Sequence, residues 1–154
     1  MRSSSIFLIF GGLLIAILLF TGLSRHSTDM HPVMKTVSTF LNAVNARDST
    51  AIREALDLSL AKPTWVGSGD STKLVSLNFP DYTPPNSGPF VKLKAQQWTR
   101  NQLAALIVDN TVENPVMNSA NLASVIMADG SRMYLHLVGM DWKIFYITRK
   151  TETQ

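Results

Sequence analysis

The chain has 154 residues, a formal net charge of +3 at pH 7 and no cysteine. Disulfides, reactive thiols and cysteine-ligated zinc are therefore excluded. The basic residues are scattered and do not interleave with aromatic side chains, so the composition argues against nucleic-acid binding. No residue pattern indicates a cofactor.

The first element is an uncharged run, Ile6 to Leu23, in which thirteen of eighteen side chains are Leu, Ile or Phe. Each favours membrane insertion by about 0.3 to 0.6 kcal/mol. A helix of this length spans about 27 Å, close to the ~30 Å hydrocarbon thickness of a bilayer. We expect residues 1–24 to be a transmembrane signal-anchor held in the lipid bilayer by Ile6–Leu23.

The flanks of this run bear on its processing and orientation. Arg2 gives the basic start of an export signal, and Gly22-Leu23-Ser24 is a poor cleavage site. The short head, which is the five residues before the apolar run, favours export of residues 25–154. The sequence has no Asn-x-Ser/Thr sequon, so nothing points to a glycosylated eukaryotic ectodomain. We therefore expect a single-pass protein of the bacterial inner membrane with a periplasmic domain. Secretion after cleavage near Ser24 is the alternative.

Two helices are predicted next. From Met30 to Asn45 the apolar residues follow the spacing of one helical face. The polar turn after Asn45 offers Asp48 or Ser49 as an N-cap for a second helix, from Thr50 to about Ser59. The apolar face of the first helix comprises Val33, Val37, Phe40, Leu41 and Val44.

The middle of the chain predicts strands and loops. Residues 67–70, Gly-Ser-Gly-Asp, indicate a turn, and the alternation from Lys73 to Phe79 predicts a strand. The proline-rich stretch Pro80–Pro89 predicts a surface loop. A strand is expected from Phe90 to Trp98. Gln102–Val112 is ambiguous: its β-branched residues favour a strand, and a short helix capped at Thr99 is the alternative.

The clearest pattern is at the C-terminus. Leu122–Met127 predicts a strand, and Asp129-Gly130 is a strong hairpin signal. Residues 139–141, Gly-Met-Asp, indicate a second turn before a final strand from Trp142 to Thr148. The sequence therefore predicts a C-terminal three-stranded meander and an α+β fold class.

Two local patterns carry a family resemblance over most of residues 33–148. The first is Phe40–Asp48 (FLNAVNARD) followed by Ala51–Leu56 (AIREAL), and the second is Asp129-Gly130 followed by Gly139–Ile144 (GMDWKI). Together they resemble the nuclear transport factor 2-like (cystatin-like α+β) superfamily. This resemblance implies two helices packed on a curved, mostly antiparallel sheet that encloses a cone-shaped cavity.

An anchor followed by such a domain resembles the single-span inner-membrane scaffold component of type IV secretion and conjugation systems, although the head here is very short. The resemblance implies a non-catalytic assembly subunit that acts through protein–protein contacts with other envelope proteins or with further copies of itself. The alternative is a small-ligand-binding or isomerase/dehydratase-type cavity protein. A scaffold should have a filled or narrow cavity and an exposed apolar patch, whereas a ligand binder should have an open pocket lined by Tyr or His.

No catalytic or metal-binding residue is assigned. Gly69-Asp70-Ser71 is similar to the nucleophile block of one esterase class, but Met133 stands where that class has an Asp before its His. His26, Met30 and Met34 have the spacing of a soft-metal ladder, which an apolar helix face explains better. The candidates for a ligand pocket are the aromatic and imidazole side chains Trp65, Tyr82, Trp98, Tyr134, His136 and Trp142.

Overall fold

A computed structural model describes residues 29–85 and 92–150 of the chain. The expected anchor, its cleavage site, His26 and the second half of the loop Pro80–Pro89 lie outside the described residues. Within the described ranges, none of the helices has the length and apolar character needed to cross a bilayer. The compact domain begins at His31.

Two helices open the domain, as predicted. α1 spans Pro32–Ala46, and the ring of His31 accepts a hydrogen bond from the N–H of Val33 at 3.3 Å. α2 spans Ser49–Ala55 and is capped by the side chain of Asp48, which accepts a 3.0 Å bond from the N–H of Ala51.

α2 ends before the predicted boundary at Ser59. The reason is a competing interaction with the last strand of the chain: Leu56 is extended and forms a parallel bridge with Ile144. The N–H of Asp57 then donates to the carbonyl of Ile144 at 2.9 Å. These tertiary bonds satisfy backbone groups that a longer helix would have used.

The strands form two antiparallel sheets rather than the one curved, mostly antiparallel sheet that the family resemblance implies. One sheet has the order β1-β2-β3 and the other the order β4-β5-β6-β7. The strands of the first are β1 Lys62–Val66, β2 Lys73–Phe79 and β3 Gln96–Thr99. Those of the second are β4 Val116–Ser119, β5 Leu122–Ile126, β6 Arg132–Val138 and β7 Asp141–Thr148.

The C-terminal meander is confirmed, since β5, β6 and β7 pair in sequence order with hairpin turns at the predicted places. The strand Lys73–Phe79 is confirmed as β2. β1 was not predicted. Of the strand expected from Phe90 to Trp98, the first two residues lie outside the described part of the chain, and within the described remainder a strand begins at Gln96, as β3.

The strand preferred for Gln102–Val112 is wrong. α3 spans Arg100–Ala104, because Thr99 and Gln102 form a reciprocal capping box with bonds of 3.2 and 2.9 Å. The β-branched Ile107 is 67% exposed and lies outside any strand. The helical alternative at Thr99 was therefore the right interpretation.

A single apolar core lies between the helices and the two sheets. On the apolar face of α1, the side chains of Val33, Val37 and Phe40 are completely buried in this core. The indole of Trp98 on β3 donates to the carbonyl of Ile147 on β7 at 3.0 Å, which joins the first sheet to the second.

Candidate functional site

One cavity of about 380 Å³ lies against the second sheet, where the ends of β4 and β5 meet the face of β6 and the segment 82–85. Its size falls in the lower part of the ~300 to 1,000 Å³ range of small-molecule pockets. The described residues that line it are Tyr82, Pro84, Pro85, Asn118, Ser119, Asn121, Leu122, His136, Leu137 and Phe145.

His136, which lines the cavity, is paired with a carboxylate. His136 Nε2 on β6 lies 2.7 Å from Asp57 Oδ2, just after α2. The side chains of His136 and Asp57 are 29% and 17% exposed, so the pair is only partly screened by solvent. With a carboxylate at Nε2, the neutral imidazole carries its proton there and leaves Nδ1 as an acceptor.

The chain after α2 orients Asp57 through its own neighbours. Asp57 Oδ1 accepts bonds from the Ser59 N–H at 2.9 Å and from Ser59 Oγ at 2.6 Å. Burial raises the pKa of Asp57, but the bonds from Ser59 and His136 together outweigh it and hold that pKa below its usual range. Asp57 is therefore a fixed carboxylate at neutral pH, and it presents its second oxygen to the imidazole.

Phe145 forms the aromatic base of the site. A register shift between Tyr134 and Leu135 places it as an extra residue on β7. Its ring centroid lies 4.7 Å from that of His136 and 5.7 Å from that of Tyr82, the latter at 73°. Tyr134 packs on it from a third side at 6.2 Å. Phe145 therefore positions both rings that face the cavity.

The structure brings three of the six predicted pocket residues together. Tyr82 and His136 line the cavity. Tyr134 does not line it, but its ring packs on Phe145, which does. The other three lie elsewhere. Trp142 is paired across the β6–β7 ladder with Leu137, while Trp65 packs beneath the guanidinium of Arg53, at 4.4 Å.

Trp98 lies beside a second depression, of about 350 Å³. The guanidinium of Arg149 stacks over its indole at 4.6 Å and donates to Gln97 O and Gln102 Oε1. Because the guanidinium already has protein partners, we assign no site there.

Sequence reasoning missed Asp57, Ser59, Asn118 and Asn121. Asp-x-Ser after a helix is a common turn pattern, and its side-chain bonds would have been a reasonable prediction. The contact between Asp57 and His136 joins residues 79 positions apart, so no local pattern reveals it.

The other chemical motifs do not form reactive sites. Ser71 lies in an exposed 3-10 turn, where its hydroxyl donates to the carbonyl of Ser68 at 2.8 Å. The imidazole of His31 caps α1. In the described part of the chain, no three His, Cys, Asp or Glu side chains converge as metal ligands would.

The chain was compared with protein-family models, curated proteins and solved structures, and none of the three comparisons yields a match.

Proposed function

We propose that this chain is a single-span membrane protein whose domain, on the extracytoplasmic side, binds a small ligand in the cavity at His136. The observation that carries the proposal is that His136, in the cavity wall, lies 2.7 Å from the carboxylate of Asp57. A carboxylate held by Ser59 fixes the orientation of the imidazole, so its Nδ1 is available as an oriented hydrogen-bonding group.

The composition of the cavity supports binding. Aromatic, proline and leucine side chains supply apolar surface, and Tyr82, Asn118, Ser119, Asn121 and His136 supply polar groups, the combination that small-ligand sites use for affinity and orientation. Tyr82 and His136 both line the cavity, and this lining supports a ligand binder over a scaffold with a filled cavity. We also propose kinship with the nuclear transport factor 2-like superfamily, which the order of two helices and a closing meander supports.

Binding is tested with the full-length chain in detergent micelles against a library of small polar aromatic and cyclic fragments. We expect some fragments to raise the melting temperature of the parent and to lose this effect in His136→Ala. Met140→Ala is the matched control, because Met140 is 95% exposed at the β6–β7 turn. Equal fragment shifts in the parent and in His136→Ala would contradict the proposal.

The membrane arrangement has its own test. Because the chain has no cysteine, Met140→Cys provides a single thiol at an exposed position. In intact bacterial cells we expect a membrane-impermeant maleimide to label it, and carbonate washing to leave the protein in the membrane fraction. Labelling only after lysis would contradict an extracytoplasmic domain.

A second function, assembly subunit of an envelope complex of the secretion or conjugation type, is favoured by exposed apolar side chains at one hairpin. Val138 and Met140, at the β6–β7 turn, are 47% and 95% exposed. In this case Val138→Asp and Met140→Asp should abolish cross-links from the domain to envelope proteins or to its own copies. Unchanged cross-linking in both variants would exclude this surface.

A further inference from the structure

We infer that the cavity accepts an uncharged, hydroxyl-rich ligand of about monosaccharide size, an inference that rests on the proposed function. It is carried by the juxtaposition of the oriented His136 imidazole, the two carboxamides of Asn118 and Asn121, and the ring of Tyr82 in one cavity.

The charge of the cavity argues for a neutral ligand. Of the ten described residues that line it, none is Asp, Glu, Lys or Arg. Asp57 lies behind His136, with one oxygen bonded to Ser59 and the other to the imidazole. Since a charged ligand would find no carboxylate, ammonium or guanidinium of opposite charge among the described lining side chains, its desolvation would be uncompensated there.

The polar groups match hydroxyls. Each carboxamide offers two donors and an acceptor, as a polyol requires. No other described residue forms a hydrogen bond with the side-chain amide of Asn118 or of Asn121, so both are available to a ligand. The turn that carries them is held by the Asn121 N–H, which donates to Ser119 Oγ at 3.3 Å, and by the Leu137 N–H, which donates to the carbonyl of Asn121 at 3.0 Å.

Size and shape limit the ligand further. The volume of about 380 Å³ equals that of about a dozen waters at ~30 Å³ each, which suits a single six-membered sugar ring. Tyr82, fixed edge-on against Phe145, offers an apolar ring surface beside a polar tip. A ring with hydroxyls at its rim and C–H groups on its face complements this arrangement.

The test uses three sugars that have the same kind of six-membered ring and differ in charge. N-acetylglucosamine is neutral, glucosamine is cationic and glucuronate is anionic. Each is titrated into the full-length chain in lauryldimethylamine oxide, a detergent without sugar, with ligand-observed NMR as the readout. We expect N-acetylglucosamine to bind at least about tenfold more tightly than either charged sugar. Equal or tighter binding of a charged sugar would overturn the inference.

Variants localise the binding. Asn121→Ala and Asn118→Ala should each weaken N-acetylglucosamine binding several-fold, whereas Asn42→Ala, on the exposed side of α1, should not change it. 1-Naphthol, an apolar probe, separates the two proposals. If 1-naphthol binds in a manner sensitive to His136→Ala and no sugar binds, this inference fails and the proposed function stands. If neither binds, both fail.

Discussion

His136 Nε2 and Asp57 Oδ2 lie 2.7 Å apart and join the chain after α2 to the middle of β6. The backbone of Asp57 makes a second connection, because its N–H donates to the carbonyl of Ile144 on β7 at 2.9 Å. One residue therefore ties the helical layer to two adjacent strands. The same contact that stabilises this junction also orients the imidazole in the cavity wall.

The pair should show energetic coupling. In a double-mutant cycle with Asp57→Ala and His136→Ala, we expect a coupling free energy of about 1 to 2 kcal/mol at pH 6, since both side chains are partly buried. Urea unfolding of the four proteins measures it. Asp109→Ala is the control, because Asp109 bonds to Thr111 instead, and its effect should add to that of His136→Ala. Additivity within the first cycle would contradict an energetic role for the pair.

Ser59→Ala should reduce resistance to acid. The pKa of Asp57 is lowered in the fold, so the stability it contributes is present above its unfolded pKa of 3.8 and is lost as the pH falls through its folded value. The bond from the Ser59 hydroxyl opposes the effect of burial on Asp57. When this bond is removed, the pKa of Asp57 in the folded protein rises.

Acid unfolding followed by far-UV circular dichroism should therefore begin at higher pH in Ser59→Ala than in the parent. Thr39→Ala, which removes an exposed hydroxyl from α1, is the control. Coincident acid transitions for parent and Ser59→Ala would show that the bond from the Ser59 hydroxyl does not set the pKa of Asp57.

Local patterns predicted the elements that local interactions determine. The apolar spacing of α1, the N-cap Asp48 and the turn at Asp129-Gly130 each place their signal within a few residues. At Thr99 two local signals competed. The capping box determined the structure there, because it satisfies two backbone donors at once, whereas β-branched residues only favour a strand.

Features that depend on distant contacts were not predictable. The division into two sheets requires the register of β2 with β3 and of β5 with β6, which no single segment encodes. The candidate site was predicted in part, as Tyr82 and His136 were recognised by residue type. Asp57 was not recognised, because its role exists only through a partner 79 positions away.

Tyr146 should titrate far above its usual range. Burial is the main cause that raises its pKa to about 12, and the charge of Asp81 is the second. The hydroxyl of Tyr146 donates to the carbonyls of Pro80 and Lys94. A raised folded pKa gives stability that is complete below about pH 10 and is lost as the pH rises toward 12. Absorbance of phenolate should show a late step that is missing in Tyr146→Phe. A full titration of all three tyrosines near pH 10 with the fold intact would contradict this.

The side chain of Asn114 should contribute more to the free energy of unfolding than that of Asn45, which also bonds to backbone. Its Nδ2 donates to the carbonyls of Asp109 and Ile126 at 2.9 and 3.1 Å, and its Oδ1 accepts from the Ile126 N–H at 2.9 Å, so it completes the end of β5. Asn114→Ala leaves the Ile126 N–H and the Asp109 carbonyl without these bonds, while the Ile126 carbonyl keeps the bond from the Asp109 N–H at 3.0 Å. The loss should cost about 2 to 4 kcal/mol in urea unfolding. Asn45→Ala removes one exposed bond to Leu41 and should cost less than about 1 kcal/mol. Similar losses in the two variants would show that solvent replaces the Asn114 bonds, and that this end of β5 does not depend on a side chain for its backbone pairing.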